Sequence, residues 1–218
     1  DGKEVLPIQE DSTALVLWAL WIHYQCSKEI EFVKALYKGL IQKSADFLVA
    51  YRDPETLLPI PSYDLWEERY GTHSFTVAAV IAGLRAAANF ARLFQDTSLA
   101  ETYDTVADQM KGALTQHLYH TGLKRYVRSG YRKGKGYELD EVIDISLLGL
   151  TMLEVLPPKD PGMIETVEVI RQQLWLKTPV GGCARYRNDL YQRANDGPKE
   201  IAGNPWFIST LWLRSEER

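Results

Sequence analysis

What this chain of 218 residues lacks already removes several classes of function. It has only two cysteines, Cys26 and Cys183, too few for a disulfide framework and too scattered for a zinc site, so both read as free thiols. There is no His-x-x-x-His pair, and neither metal nor cofactor is expected. His23, His117 and His120 read as ordinary surface or core histidines on or just beyond helices. The longest strongly apolar run, Ala14 to Ile22, is nine residues, well short of the roughly 20 that cross a bilayer, so no membrane segment is expected. A basic excess is also lacking. The 25 Lys and Arg against 29 Asp and Glu leave a net charge of −4, which argues against nucleic acid as a partner.

What is present is an ordinary globular composition, 45% hydrophobic and 25% charged, with enough apolar residues to build one large core. Six Trp and twelve Tyr outnumber six Phe. Rings with a polar handle suit a surface that meets hydroxyl-rich partners, although tryptophans in a helical core give the same count. The chain opens Asp-Gly-Lys-Glu without an initiator Met. A natural N-terminus upstream, with any export signal, is therefore expected to be missing. Location stays open, with the cytoplasm slightly favoured.

Helical signals of two kinds alternate along the chain. Ala14–Ile22, Phe75–Leu84 and onward to Phe94, Ile145–Leu156 and Trp206–Leu213 are apolar nearly all round, the mark of helices buried on every side. Between them run single stripes: Val33, Leu36, Tyr37, Leu40, Ile41 and Leu48; Leu99, Tyr103, Val106, Met110 and Leu114; Met163, Val167, Ile170 and Leu174. Steps of three and four make these amphipathic helices. Buried helices start near Ser12, His73, Asp144 and Pro205, at intervals of 61, 71 and 61 residues. The pattern predicts an all-α layer of inner helices wrapped by outer ones, a repeat of helical hairpins too long for a tetratricopeptide array.

The links are unequal. Those leaving a buried helix are short, whereas Arg52–Thr72, Tyr119–Glu141 and Lys177–Asn204 are long. Hairpins return the chain to one side, so the long loops and the opening segment should gather on one face, where loops of this length are usually functional. A small β-hairpin is expected within Tyr119–Tyr137. Asn204 before Pro205, Asp144 and Asp11 are expected to cap their helices.

The most distinctive stretch, Ser62-Tyr63-Asp64-Leu65-Trp66-Glu67-Glu68-Arg69, falls on that face. Adjacent carboxylates repel, so in a partly dry site one of them would keep its proton near neutral pH, as a general acid must. Trp66 offers a flat apolar surface for a sugar ring, and Arg69 can neutralise a neighbouring carboxylate. The bland alternative is a solvated Glu-Glu turn beside a core tryptophan. His73, at the same face, is expected to cap or orient a loop.

That segment, followed by Gly71-Thr72-His73-Ser74-Phe75-Thr76, resembles the general-acid segment of glycoside hydrolase family 15, the glucoamylase, glucodextranase and bacterial trehalase group. Gln9-Glu10-Asp11-Ser12, Asp144-Ile145-Ser146-Leu147-Leu148, Ala184-Arg185-Tyr186-Arg187-Asn188-Asp189 and Gly203-Asn204-Pro205-Trp206 resemble further family stretches in the same order. The resemblance spans nearly the whole chain. It implies part of an (α/α)6 toroid, residues 1–218 forming about three and a half hairpins of a catalytic domain whose remainder would complete the barrel. It also implies inverting, exo-acting release of glucose from an α-glucan or oligosaccharide. Glu67 would be the general acid. Glu68 and Asp64 would bind the terminal sugar and tune the acid, Arg185 and Asp189 would hold its hydroxyls, and Trp66, Tyr63 and Trp206 would form apolar walls. A surface charge at Arg185 and a core ring at Trp206 are the alternatives.

An inverting enzyme needs a second carboxylate roughly 6.5–9.5 Å from the acid to activate water. In the family this base lies past the equivalent of Trp206, so with the sequence stopping at Arg218 the base, an inner helix and much of the sugar pocket are expected to be missing and the chain alone inactive. Otherwise Asp144 or Asp189 has taken the base role. Competing readings are a trehalase and a non-catalytic helical module that holds carbohydrate or a partner protein.

Overall fold

The computed structural model describes residues 8–134, 136–192 and 202–215. Helix α1 (Glu10–Ser27) begins with Glu10 and Asp11 in its first turn and ends at Lys28, whose left-handed backbone (φ 59°) returns its N–H to the Tyr24 carbonyl at 2.9 Å. Helices α2 (Ile30–Leu36) and α3 (Lys43–Ala50) are joined without a break by a wide π segment, Tyr37–Gln42. The residues buried along this rod are Val33, Tyr37, Ile41, Ala45 and Leu48. Repeated steps of four overshoot a turn of about 3.6 residues, and a widened turn corrects the drift and keeps the stripe on one side. Leu40, on the expected stripe, is instead exposed.

Strands β1 (Ser62–Tyr63) and β2 (Tyr70–His73) lead into α4 (Ser74–Leu93), after which α5 (Thr97–Leu118) returns. Then come β3 (Tyr119–His120), β4 (Arg125–Tyr126), β5 (Ser129–Lys133) and β6 (Gly136–Asp140). A 3-10 turn (Ile145–Leu148) runs into the short α6 (Gly149–Met152), followed by α7 (Pro161–Leu174) and α8 (Phe207–Ser215). Successive inner elements touch, α1 on α4, α4 on the 3-10 turn and α6, and the 3-10 turn on α8, while α3, α5 and α7 pack outside them. This arc is the expected hairpin layering, except that its third inner element, expected as a helix over Ile145–Leu156, is a 3-10 turn and a single short helix ending at Met152. The inner contacts are very close: a Cβ on Gly83 would lie 2.9 Å from the Ala14 Cα, and one on Gly149 would lie 2.6 Å from the Phe75 ring.

One expectation fails in an informative way. Helix α4 is buried almost throughout. It is long and apolar enough to cross a membrane, yet 89% of its apolar window is covered by protein. Helix α1 has a similar sequence pattern but leaves Val16 and Ile22 at 46% and 39% exposure, and Phe207 and Leu211 on α8 reach 92% and 67%. Apolar residues all round a helix signal neighbours on both sides, and among the described residues α1 and α8 have an inner neighbour on one side only.

The long loops do converge. Strands from the first and second pair in one antiparallel sheet ordered β1-β2-β5-β6, with Ser62 opposite Gly71, Thr72 opposite Gly130, and Ser129 opposite Asp140. The expected hairpin is thus larger than foreseen, with β3 and β4 forming a second pair beside it. Asp144 caps as expected, its carboxylate accepting the Ser146 N–H at 2.9 Å. Asp11 lies inside the first turn of α1, and Asn204 stands three positions before Phe207, the first residue of α8. Its amide donates to the carbonyls of Tyr191 and Gln192 at 3.1 and 2.8 Å.

Candidate active site

The Glu-Glu segment is the tip of the β1–β2 hairpin. Tyr63 pairs with Tyr70, and the Asp64 N–H donates to the Arg69 carbonyl at 2.9 Å, leaving four residues to turn the chain. Asp64 organises that turn. Its Oδ1 accepts the N–H groups of Glu68 and Arg69 at 2.8 and 3.1 Å, and its Oδ2 meets the Arg69 guanidinium at 3.2 Å. A short acceptor side chain bonding to amides just ahead of it is what makes Asp a turn former. Glu67 sits at the apex with φ 59°, a left-handed conformation uncommon for a side chain of its size. Its side chain is exposed, and among the described residues no hydrogen bond or ion pair engages its carboxylate.

Glu68, the next residue, is engaged three times. Its carboxylate meets Arg69 at 3.1 Å and Arg185 at 3.0 Å, and it accepts a short hydrogen bond from the Tyr186 hydroxyl. Arg185 also forms a two-pronged pair with Asp189, Nε to Oδ2 at 2.7 Å and Nη2 to Oδ1 at 2.8 Å. The Tyr191 N–H adds a bond to Asp189 at 3.0 Å. Segments more than a hundred positions apart in sequence are thereby joined, because the third long loop bridges to the start of the 3-10 turn: Asp144 pairs with Tyr186, and the Ile145 N–H reaches the Arg185 carbonyl at 2.8 Å. Aromatic rings surround the Arg185 guanidinium, with Trp206 at 4.9 Å, Trp66 at 5.0 Å and Tyr191 at 5.1 Å. Trp206 is placed by its N–H to the Cys183 carbonyl at 2.9 Å. Its indole N–H has no acceptor in hydrogen-bonding geometry among the described residues, although Asp189 lies near enough to be stabilised by it.

The electrostatics follow from these partners. Burial alone would lower the Arg185 pKa, but Asp189 and Glu68 raise it above the usual range. Burial works to raise the Asp189 carboxyl, and the Arg185 and Tyr191 bonds outweigh it and hold the pKa below the ordinary value. The Tyr186 hydroxyl is pushed up to about 12, first by burial and then by Glu68. At neutral pH Arg185 and Asp189 are therefore both charged, and the Tyr186 hydroxyl keeps its proton.

A carboxyl that keeps its proton near neutral pH occurs at this face in the first turn of α1. Burial lifts Glu10, in the first turn of α1, to about 7, and the Asp11 charge adds to the effect. Ser62 lies near enough to favour the ionised form, yet neither Glu10 oxygen has a partner in hydrogen-bonding geometry among the described residues. Asp11 is also raised by burial while accepting the Thr76 hydroxyl at 3.1 Å. His73 is buried, its Nε2 bonded to the Ser62 carbonyl at 3.1 Å, so it orients the β1 strand as expected. Burial lowers its pKa, against the pull of Asp64.

Of the residues singled out from sequence, the structure brings Glu68, Arg185 and Asp189 together, places Trp66 and Trp206 beside Arg185, and sets Asp64 and Glu67 in the turn that carries Glu68. Tyr63 stands apart. It lies between buried Ser62 and buried Asp64, 37% exposed, edge-on to Tyr70 with ring centroids 5.6 Å apart. Tyr186, Arg128 and Glu10 have no role assigned from sequence, although the Arg-Tyr-Arg-Asn-Asp and Gln-Glu-Asp-Ser stretches contain Tyr186 and Glu10; Arg128 carries no such signal. Among the described residues no group of three or more His, Cys, Asp or Glu is arranged to hold a metal ion.

Comparison with known proteins shows the family of the chain. Residues 1–216 match the family model described as Glycosyl hydrolases family 15. The chain belongs to that family. This family 15 chain is 32% identical over 215 residues to an uncharacterized glycosyl hydrolase of Methanocaldococcus jannaschii, covering 98% of the chain and 31% of that protein. It is 30% identical over 175 residues to a glucoamylase of a Clostridium species, covering 72% of the chain and 24% of that protein. A trehalase of Mycobacterium tuberculosis is 25% identical over 209 residues, with 95% and 27% covered. A bacterial glucoamylase solved in complex with acarbose superposes with a TM-score of 0.76 at 24% identity, over 97% of this chain and 32% of that one. The family 15 chain thus spans about a quarter to a third of the length of its curated relatives.

Proposed function

We propose that this chain carries the acid half of an inverting exo-α-glucosidase site, which releases glucose from the end of an α-glucan or oligosaccharide. The observation that carries the reading is the Arg185 bridge between Glu68 and Asp189, walled by Trp66 and Trp206, directly beside an exposed and strained Glu67. In this reading Glu67 protonates the leaving glycosidic oxygen. Held at the apex of the turn with its carboxyl free, it can meet an oxygen above the cluster without first breaking a bond. Glu68, Arg185 and Asp189 present fixed charges to the hydroxyls of the terminal sugar, and the indoles take its apolar face. Tyr63, at the rim, would touch sugars further along the chain. Asp64 contributes by shaping the turn, since both of its oxygens are already engaged.

The water-activating base belongs, in this reading, to the part of the family's length outside the chain. Asp144 and Asp189, the internal candidates, both spend their oxygens on protein donors. The test replaces Glu67 by Gln in the full-length protein and measures glucose release from maltooligosaccharides and from trehalose. A loss of about 10²–10⁴-fold is expected, with the present chain alone as an inactive control. Near-normal turnover by the variant would remove the assignment, and turnover by the chain alone would refute the missing base. Preference for trehalose would place the enzyme with the trehalases. Ligand binding without turnover by the full-length wild type would make it a binding module.

A further inference from the structure

We propose that Asp144 is a positioning residue for the acid-bearing turn, acting through the Trp66 indole and steadied by an Arg128–Asp140 ion pair. The inference rests on the reading of Glu67 as the acid. The tip of the β1–β2 hairpin is held from within by Asp64, and Trp66 reaches across from it to the start of the 3-10 turn, where its indole N–H is shared between both oxygens of Asp144 at 3.2 Å each. Trp66 immediately precedes Glu67, so anything that moves the indole moves the peptide plane leading into the left-handed residue. A strained backbone of that kind persists only where its surroundings over-determine it.

Asp144 is well placed to supply that constraint. It is 1% exposed. It accepts the Ser146 N–H at 2.9 Å, its backbone bridges to Tyr186, and the next residue bonds to the Arg185 carbonyl. One residue therefore fixes the acid-side tryptophan and the Arg185 loop to a common point. Behind it, Arg128 places Nε and Nη2 on Asp140 Oδ2 at 2.7 and 2.6 Å, with Nη1 3.8 Å from Asp144 Oδ2. That Nη1 is buried without a hydrogen-bond acceptor among the described residues, so it faces Asp144 as a bare countercharge. Arg128 is itself anchored, its carbonyl accepting the Ser74 N–H at the start of α4 at 2.9 Å. Burial pushes the Asp144 carboxyl up, while Ser146, Arg128 and Trp66 all oppose that shift.

Two arms test this. In the full-length protein, Asp144→Asn and Trp66→Phe should each lower kcat by about 100-fold, the scale of a small misplacement of a reacting group, with KM nearly unchanged in Asp144→Asn, which keeps every side chain of the Arg185 cluster, and raised in Trp66→Phe, which trims the sugar-facing indole. The double variant should be no worse than the poorer single one. Losses that multiply, or an Asp144→Asn variant that raises KM at unchanged kcat, would overturn the proposal. The second arm needs no activity. In nitrogen-15 spectra of this chain, the Trp66 indole N–H signal, assigned by its loss in Trp66→Phe, should shift in Asp144→Asn and in Arg128→Met but return close to the wild-type position in Arg128→Lys. A signal unmoved by both Asp144→Asn and Arg128→Met would sink the idea, and should Asp144→Asn fail to fold, the Arg128 pair carries the same comparison. If the wild-type protein turns over no α-glucoside, the functional reading falls while the spectral arm still decides whether Asp144 holds Trp66.

Discussion

Buried carboxylates are treated differently at the two ends of this face. Around Arg185, buried Asp189 is 0% exposed and meets a guanidinium through two bonds, and the more open Glu68 beside it has two guanidiniums and a phenol. At the start of α1, Glu10 and Asp11 are 1% and 3% exposed, with only hydroxyl and amide groups among their recorded partners. Burying a charge is costly unless it is paired or surrenders itself by taking a proton. The first region uses pairing and the second uses the proton. The Arg185 cluster should therefore hold its charges across the neutral range, and pH should reach the fold through α1.

The largest expected effect comes from breaking the paired region. Arg185→Met leaves Asp189 buried without its partner, and urea unfolding at neutral pH should show a loss of about 3–5 kcal/mol. A loss below about 1 kcal/mol, the range of exposed ion pairs, would mean that Asp189 finds water or another cation. Glu10→Gln probes the other region. The Glu10 carboxyl is raised from 4.5 to about 7. Below 4.5 both folded and unfolded chains hold the proton and the group costs nothing. Between there and about 7 the unfolded chain releases it while the folded chain retains it, so stability falls as pH rises through this window and levels off above it, by about 3 kcal/mol in all. Unfolding free energies of Glu10→Gln across the same window should lack that decline, and parallel curves for the variant and the wild type would reject the assignment. The smallest effect is expected at Lys133, whose 2.9 Å pair with Glu138 is fully solvated. Lys133→Ala should leave the unfolding midpoint unchanged, and a measurable shift would show that solvent exposure does not separate idle pairs from structural ones here.

The layering could be read from the sequence because periodicity is local: Tyr103, Val106, Met110 and Leu114 are buried on α5, as are Met163, Ile170 and Leu174 on α7. The crowding of the long loops followed from hairpin geometry, and the Asp144 cap from its place ahead of a buried run. What escaped notice depends on contacts between distant segments. The meeting of Arg128, Asp140 and Asp144 has no signature in spacing, because three strands and a turn bring it about. The left-handed bend at Glu67 was hidden because nothing in Asp-Leu-Trp-Glu-Glu demands a positive φ. The buried side of α1 was overestimated for a different reason: composition reports how apolar a helix is, but not how many neighbours it has. The raised Glu10 carboxyl left no mark in the spacing of charges, because the burial that raises it is a property of the packed chain.

Gly83 shows how finely the arrangement is set. With no side chain there, α4 and α1 run backbone against backbone, and the first turn of α1 is brought down beside Ser62 at the root of the β1–β2 hairpin. A single methyl group at that crossing would act as a wedge beneath a lever, prising α1 outward and carrying Gln9 and Glu10 away from the hairpin they brace. The spacing of the loop-bearing face is thus fixed from below, by one missing carbon at the crossing of two inner helices.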